Sequence, residues 1–542
     1  MSNFDIQQVT ENITSLPPIK GFTEVDMMKK EIARDLAMAK KSQARAEPMV
    51  LKEIRRKKRE DKENAGDLKH QDVRSFHNSV KRGLYQKAYA EADLENSRDP
   101  RTKRWKYRKT LLELACGRGG DLHKWKSAGY RVVVAVDKDL TAIDEAKRRV
   151  RGVENGVRAD FGYMDLAEAS QNGDVASKLT EMYPRSPWVY DTVSIQFAIQ
   201  YLCKEDKILY GFLDQVADLV RPGGTFVGTF PDGSEIVRML GAEGKFDNGF
   251  LKIEERVGGD SAGISFHADF GKGGGGGGSS YFDSFGTSVE YPVFWKRIRD
   301  YMLRKGFVLV EHKGFLEYNA AGDYALLPEE QDFSGVFKSF LFRKHEKTAY
   351  FCGGGVDRPL INWDSLQIDE VGKYSITRPR ELKRLHQIIL REYLKLSGGV
   401  VPDSICDGTA CVGGDTIGFS GIARQVYAWE VNEERYDMLV NNLNVYNIRN
   451  VEAYNQSFIR STGGCDILYI DPPWGGPSYH ESNKIELYID GINLKDLLDN
   501  PRINGRFKMV AVKIPYNYNI GEGEQVYKVS DKIWIWIRLP RS

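Results

Sequence analysis

Residues 110–125, TLLELACGRGGDLHKW, decide how the first half of the chain folds. An apolar run from Thr110 to Leu114 passes straight into Gly117-Arg118-Gly119-Gly120 and then into a helical pattern carrying Leu122 and Trp125. Glycines at this place let a tight turn approach a ligand, and a helix that begins there points free N–H groups at it. A second apolar run, Arg131 to Val136, ends in Asp137, where a carboxylate at the tip of the neighbouring strand can hold a ribose diol. The design recurs downstream. In Ser404 to Asp415, SICDGTACVGGD, Asp407 closes a strand, Thr409 follows, Gly413-Gly414 forms the turn, and Val426 to Glu430 supplies the second strand with its acid. Glu430 follows Asp407 at nearly the interval that separates Asp137 from Glu113, which argues for two similar cofactor sites in one chain.

Working outward, 542 residues exceed one ordinary core, and at roughly 150 residues per domain two large domains fit best. Hydrophobic residues at 41% and charged residues at 28% are ordinary globular values. The net charge of +2 gives no overall attraction to nucleic acid, so such contacts must come from local basic patches. Cys116, Cys203, Cys352, Cys406, Cys411 and Cys465 show no metal-ligand spacing, so structural zinc and a disulfide framework are both disfavoured, and a reducing compartment is expected. The polar N-terminus lacks a secretory segment, and no long apolar run suggests a membrane span. Residues 24–63 read as a charge-rich solvated helix, with the alternative that Arg55 to Arg59 steers phosphates. From about residue 70 to 345, strands alternate with helical patterns, as in a parallel sheet built of βαβ units. The glycine run after Lys272 reads as a loop within that domain. The expected organisation is an extension over 1–69, a domain over 70–345, a linker over 346–372 and a second domain over 373–542.

A nicotinamide dinucleotide would suit the same glycine turn, so the turn alone leaves an oxidoreductase open. Glu113, sitting before the turn, suits a cofactor with a free amino group better than a pyrophosphate, which favours S-adenosylmethionine. Asp165, in GYMDL after the third strand, is placed to meet the adenine edge, or else to cap the following helix.

Beyond the turn, four further segments in one order resemble the mRNA cap guanine-N7 methyltransferase family over residues 70–345. Phe76-His-Asn-Ser-Val-Lys81 resembles its FNNxxK element, and Leu114 to Lys126 its LGCGKGGDLxKW motif with Arg118 for lysine. Ser194-Ile-Gln-Phe-Ala-Ile-Gln-Tyr201 resembles the QFxxHY segment with Gln200 replacing histidine, and Val289 to Phe294 resembles the EYLV element. Val336 to Lys344 resembles the closing YxVFxFxK strand. The resemblance implies a guanine pocket of Gln196, Phe197, Gln200, Tyr201, Glu290 and Tyr291, with Glu290 receiving the guanine N1 and N2 hydrogens. It implies Lys81 as a cofactor or phosphate contact, and Gly117, Gly119, Asp137, Asp165 and Gln196 at the cofactor. Guanine N7 has an in-plane lone pair and no proton to lose, so methyl transfer needs alignment rather than a general base.

In the second half, Ile467-Leu-Tyr-Ile-Asp-Pro-Pro-Trp474 is an apolar strand ending in a stiff proline turn with an aromatic. Rigid carbonyls there can accept the hydrogens of an exocyclic amine while the ring stacks on the base. With Tyr374 to Thr377 and Val512 to Pro515, the string DPPWGGPSY resembles trimethylguanosine synthase, which methylates N2 of a 7-methylguanosine cap. The resemblance implies Asp471, Pro472 and Trp474 at the reaction centre, with Trp474 stacking on the cationic base, and Asp407, Thr409, Gly413 and Glu430 at a second S-adenosylmethionine. Asn455 stands where that family usually offers aspartate to adenine.

The expected fold is therefore α/β: two Rossmann-like S-adenosylmethionine-dependent methyltransferase domains in tandem, each a mostly parallel sheet flanked by helices. The expected function is cap methylation at N7 and then N2. The alternatives are that the second half is a catalytically silent cap-binding module or a ribose 2′-O-methyltransferase. Capped RNA is the expected partner. With no KxDG nucleotidyl-lysine motif in the chain, a separate triphosphatase and guanylyltransferase would supply it. A large DNA virus or a divergent protist as the source, with the cytoplasm (a viral factory if viral) or else the nucleus as the setting, completes the expectation, with no metal and no membrane.

Overall fold

The computed structural model describes residues 71–92, 109–152, 157–183, 189–256, 263–268, 289–352, 360–461, 463–501, 503, 505–521 and 523–539. The charge-rich stretch over 24–63 and the glycine run after Lys272 lie outside these residues.

Strands β1 (Thr110–Leu114), β2 (Val132–Asp137), β3 (Arg158–Tyr163), β4 (Tyr190–Gln196) and β5 (Val220–Pro231) pair in parallel. Strands β6 (Lys245–Asp247), β7 (Leu251–Arg256), β8 (Gly263–Ala268) and β9 (Val289–Glu290) form a small separate antiparallel sheet. Strands β10 (Phe307–Gly314) and β11 (Phe337–Lys344) return antiparallel to the main sheet, whose order is β10-β11-β5-β4-β1-β2-β3. Leu111, Leu112, Leu114 and Val133 to Val136 are all buried, because a parallel sheet is covered by helices on both faces. One covering helix, Asp206–Leu219, presents Ile208, Leu209, Phe212, Leu213 and Val216 at helical spacing to that core.

The second half repeats this plan. Strands β12 (Ser404–Asp407), β13 (Gln425–Trp429), β14 (Val451–Tyr454) and β15 (Ile467–Ile470) are followed by a short hairpin, β16 (Tyr488–Ile489) and β17 (Ile492–Asn493). Then come β18 (Met509–Pro515), β19 (Gln525–Lys528) and β20 (Ile533–Arg538). The order is β14-β13-β12-β15-β18-β20-β19, which is the first sheet's order read from its other edge. In each sheet the order reverses between the first and fourth strands of the half, β1 and β4 or β12 and β15. Consecutive crossovers there leave to opposite faces and open a crevice at the carboxyl ends of the strands, where ligands bind in such sheets.

The segment after β11 is packed. Lys347 Nζ donates to the carbonyls of Trp363, Asp364 and Leu366 at 3.1, 2.8 and 2.7 Å. Phe351, Ile361, Trp363 and Leu366 join Val412, Leu439 and Leu443 in one apolar cluster. Gly306, at φ +87°, lies so close that a side chain there would meet the Trp363 ring at 2.7 Å.

One expectation fails. Cys406 on β12 and Cys465 just before β15 are joined by a disulfide, their Cα atoms 5.9 Å apart. The two strands are parallel neighbours, Ile405 opposite Ile467, so the crossover between them returns the second cysteine beside the first. Spacing along the chain carries no sign of such a pair. Among the described residues no helix is long and apolar enough to cross a membrane.

Candidate active sites

The two turns are built alike. In the first, Asp137 Oδ2 accepts the N–H of Gly117 at 2.7 Å and its Oδ1 accepts that of Asp139 at 2.9 Å. In the second, Glu430 Oε2 accepts the N–H of Cys411 at 3.0 Å and its Oε1 that of Asn432 at 2.8 Å. Each acid at the tip of a second strand thus ties the turn to the start of the next helix. Gly117 and Cys411 both stand at left-handed backbone, φ +51° and +50°, so the second turn pays a strain that glycine avoids in the first. Gly119 and Gly413 follow, again at positive φ, where a side chain would press on Ala146 or Leu439. Over Gly117 there is nothing within 4 Å, which leaves open room against the turn.

The acids that close β1 and β12 are buried. Glu113 accepts the Tyr85 hydroxyl at 2.8 Å and the Ser194 hydroxyl at 3.3 Å. The Gln196 amide donates to Ser194 at 3.0 Å, and Thr229 donates back to Gln196 at 3.1 Å, so one hydrogen-bonded row crosses β1, β4 and β5. Burial, with Asp121 adding to it, pushes the Glu113 carboxyl up to about 8. Asp407 accepts the Thr416 hydroxyl at 2.6 Å and the Thr409 N–H at 3.3 Å, and burial with Asp415 nearby takes it also to about 8. Both acids therefore hold a proton in the ligand-free fold at pH values where the unfolded chain has lost it. Their contribution to stability declines as pH rises from the ordinary carboxylate range to about 8. Glu113→Gln and Asp407→Asn proteins should accordingly gain on the parent across that range, by on the order of 2–4 kcal/mol if unopposed. Ligand-free melting curves at a series of pH values check this, and a pH-independent difference would contradict it.

Lys81, expected at cofactor or phosphate, bonds Asp121 of the glycine turn at 2.7 Å, as does Lys124 at 2.7 Å. Burial pushes the Asp121 carboxyl up, but these two ammonium groups hold it down at about 2. Lys81 thereby fastens the helix Gln71–Glu91 to the turn. Asp165 caps the helix Leu166–Asn172, accepting the N–H groups of Ala167 and Glu168 at 2.9 and 3.2 Å.

The residues expected to hold guanine separate into two groups. Tyr201 donates its hydroxyl to Glu290 at 3.1 Å, Lys138 lies 5.8 Å from the Tyr201 ring, and Tyr291 is half-buried. Phe197 instead packs inward at φ +53°, stacked on His77 and edge-on to Phe337. Gln200 is fully buried and donates to the Phe197 carbonyl at 2.8 Å.

In the second half the Asp471 N–H donates to Thr409 Oγ1 at 2.7 Å, seating the proline loop against the cofactor turn. Pro472 is buried, Pro473 exposed and Trp474 half-buried, its ring edge-on to Tyr479 at 5.1 Å. Lys513 Nζ bonds Asp471 Oδ2 at 2.6 Å. Sequence reading missed Tyr85, Ser194, Asp121, Asp415 and Lys513. All but Tyr85 lie inside motif segments quoted above, Asp121 and Asp415 at the glycine turns, Ser194 before Gln196 and Lys513 in Val512 to Pro515, but no segment by itself assigned them a role.

Residues 37–271 match the profile of the mRNA (guanine-N(7))-methyltransferase domain, and residues 403–536 that of RNA cap guanine-N2 methyltransferase. The mRNA cap guanine-N(7) methyltransferase of Caenorhabditis briggsae is 32% identical over 145 residues, covering 26% of this chain and 37% of that protein. The Caenorhabditis elegans protein of the same name is 30% identical over 188 residues, 33% and 45% of the two chains. A protein of Acanthamoeba polyphaga mimivirus is 33% identical over 120 residues, 21% and 47% of the two. The chain thus spans less than half the length of these relatives. An S-adenosylmethionine-dependent methyltransferase from Clostridium acetobutylicum superposes at TM-score 0.32 and 13% identity, covering 48% of this chain and 92% of its own. At that score the fold is better read from strand order. The chain thus joins two methyltransferase domains on sheets of one strand order, the first matching the mRNA (guanine-N(7))-methyltransferase profile and the second that of RNA cap guanine-N2 methyltransferase.

Proposed function

We propose that this chain methylates RNA caps in sequence, the first domain at guanine N7 and the second at N2 of the 7-methylguanosine so formed. The observation that carries the reading is the pairing of two like-built cofactor turns with two unlike base sites: Tyr201 with Glu290 in one, the Asp471 to Trp474 loop in the other. S-adenosylmethionine supplies a sulfonium methyl group to each. Around it, Asp137 and Glu430 would grip the ribose hydroxyls, and Glu113 and Asp407 would face the amino-acid end, taking up charge when the cofactor's ammonium arrives.

At the first site Glu290 accepts guanine hydrogens and so turns the N7 edge toward the donor. No residue need remove a proton there. Glu290→Ala should lower N7 methylation of guanosine-capped RNA by about 10- to 100-fold, the usual worth of a hydrogen bond to a charged group. N2 methylation of RNA already bearing 7-methylguanosine should persist. Full N7 activity in that variant would remove Glu290 from the site.

The guanosine must already be on the RNA, so a triphosphatase and a guanylyltransferase act beforehand. The mimivirus relative agrees with a viral source. One observation favours the second reading, a silent cap reader: the Asn455 amide is spent on the Glu430 carbonyl at 2.9 Å and offers adenine no carboxylate. Capped RNA incubated with labelled S-adenosylmethionine, digested and resolved into mono-, di- and trimethylated guanosines, separates the cases. Label at N7 alone makes the second domain a reader, and label on ribose alone refutes the N2 assignment.

A further inference from the structure

Behind the Asp471 loop lies a buried charge cluster that alignment of base and donor does not by itself require. Lys513 sits within β18, where every residue from Met509 to Pro515 is buried and the others are apolar. It is 3% exposed, yet its ammonium group is fully used: Asp471 Oδ2 at 2.6 Å, Thr377 Oγ1 at 2.9 Å and the Ser375 carbonyl at 3.3 Å. It also lies 5.4 Å from the centroid of the Trp474 ring. A buried ammonium is a costly choice for a central strand, and an apolar side chain would serve packing as well. The charge is therefore placed for its partner.

That partner opens the proline loop. Its backbone N–H is held by Thr409 and its Oδ2 by Lys513, while the side chain keeps 15% of its surface accessible, so Oδ1 is the oxygen left to meet a ligand. The surroundings disfavour its charge: Asp415 on the helix Gly414–Phe419, Asp407 on β12 and the Tyr469 hydroxyl on β15 stand around the pair, with Glu381 acting on Lys513 from the helix Pro379–Ser397. Burial pushes the Asp471 carboxyl up, Lys513 pulls it down and Asp415 pushes again, leaving it at about 6.

We propose that Lys513 is the positioning residue that keeps Asp471 ionised and turned so that Oδ1 accepts a hydrogen of the target exocyclic amine. This rests on the N2 reading. In a 7-methylated guanine the positive ring withdraws the lone pair of N2, and a carboxylate on an N2 hydrogen returns electron density as the bond forms. N2 bonds the donor methyl carbon as the carbon–sulfur bond breaks, the sulfur keeps that electron pair, and one N2 proton passes to Asp471 Oδ1 and then to solvent. An acid without its lysine would be protonated at neutral pH and would offer a hydrogen where an acceptor is needed.

The test uses the full chain and RNA bearing a 7-methylguanosine cap. Lys513→Met should lower kcat for N2 methylation by about 100-fold, leave KM for the RNA within about threefold, and move the acid limb of the pH profile upward by more than about one pH unit. Lys513→Arg, which restores the charge, should return the limb toward its original position. A merely structural lysine would alter the melting temperature and leave the limb where it was, and that result overturns the proposal. Should Lys513→Met fail to fold, Lys513→Gln keeps a hydrogen-bond donor without the charge and should move the limb in the same direction. An unmoved limb in that variant overturns the proposal equally. Absence of N2-methylated product from the parent chain is instead the failure of the N2 reading, and it is seen before any variant is made.

Discussion

Asp137→Ala protein should lose N7 methylation while still methylating N2 of RNA that already carries 7-methylguanosine, and Glu430→Ala should do the reverse. The size of the effect follows from the double duty of each acid. In the fold Asp137 satisfies the N–H groups of Gly117 and Asp139, and Glu430 those of Cys411 and Asn432. Deleting the carboxylate leaves two amides without acceptors, each costing about 1–3 kcal/mol where water cannot replace the bond, and removes the proposed ribose contact as well. Cofactor affinity at the altered site should fall by about 100-fold or more, since two effects that act on one turn compound. Calorimetric titration with S-adenosylhomocysteine then counts sites directly: two per parent chain, one per variant. Because the sites belong to separate sheets, the remaining one should bind as before. Asp137→Asn keeps one acceptor oxygen and should retain part of the affinity. A variant that binds two equivalents at parental strength would dismiss the shared design on which both proposed activities stand.

Trp474→Ala is the second large expectation. N2 methylation should disappear at moderate RNA concentrations, with the affinity of a 7-methylguanosine cap analogue down by about 10- to 100-fold, the worth of an aromatic stack on a cationic ring. An unmethylated cap analogue should lose less, because a neutral guanine gains less from the electron-rich indole. Trp474→Phe should fall between. The loop itself should survive the change, for Pro472 is buried, Thr409 holds the Asp471 N–H, and Asn517 donates to the Tyr479 and Ser482 carbonyls farther along. Fluorescence quenching by cap analogues together with the methyl count gives both readings. Equal loss for methylated and unmethylated analogues would place the base elsewhere than on the indole.

The strand–turn–helix reading of residues 110–125 and its repeat at Ser404 to Asp415 were legible because glycine placement and apolar runs are local properties, set by backbone sterics and by which side chains avoid water. The acids at 137 and 430 were legible for the same reason, being the first polar residues after buried strands. What those acids hold was not. Phe197 and Gln200 carry the family pattern, yet they turn into the core, because a left-handed residue after β4 rotates the following segment inward. Asp165 reads in the sequence first as a contact to the adenine edge, with a helix cap as the alternative, and in the fold its carboxylate accepts the N–H groups of Ala167 and Glu168.

By itself the sequence determined two mostly parallel sheets, their glycine turns and the carboxylates at their tips, since each depends on neighbours a few residues away. Only the tertiary structure decided that Tyr85 meets Glu113, that Cys406 meets Cys465 and that Lys513 meets Asp471. Those meetings join residues from different strands and helices, and crossover connections set such distances through the packing of whole elements, for which no spacing along the chain is a guide.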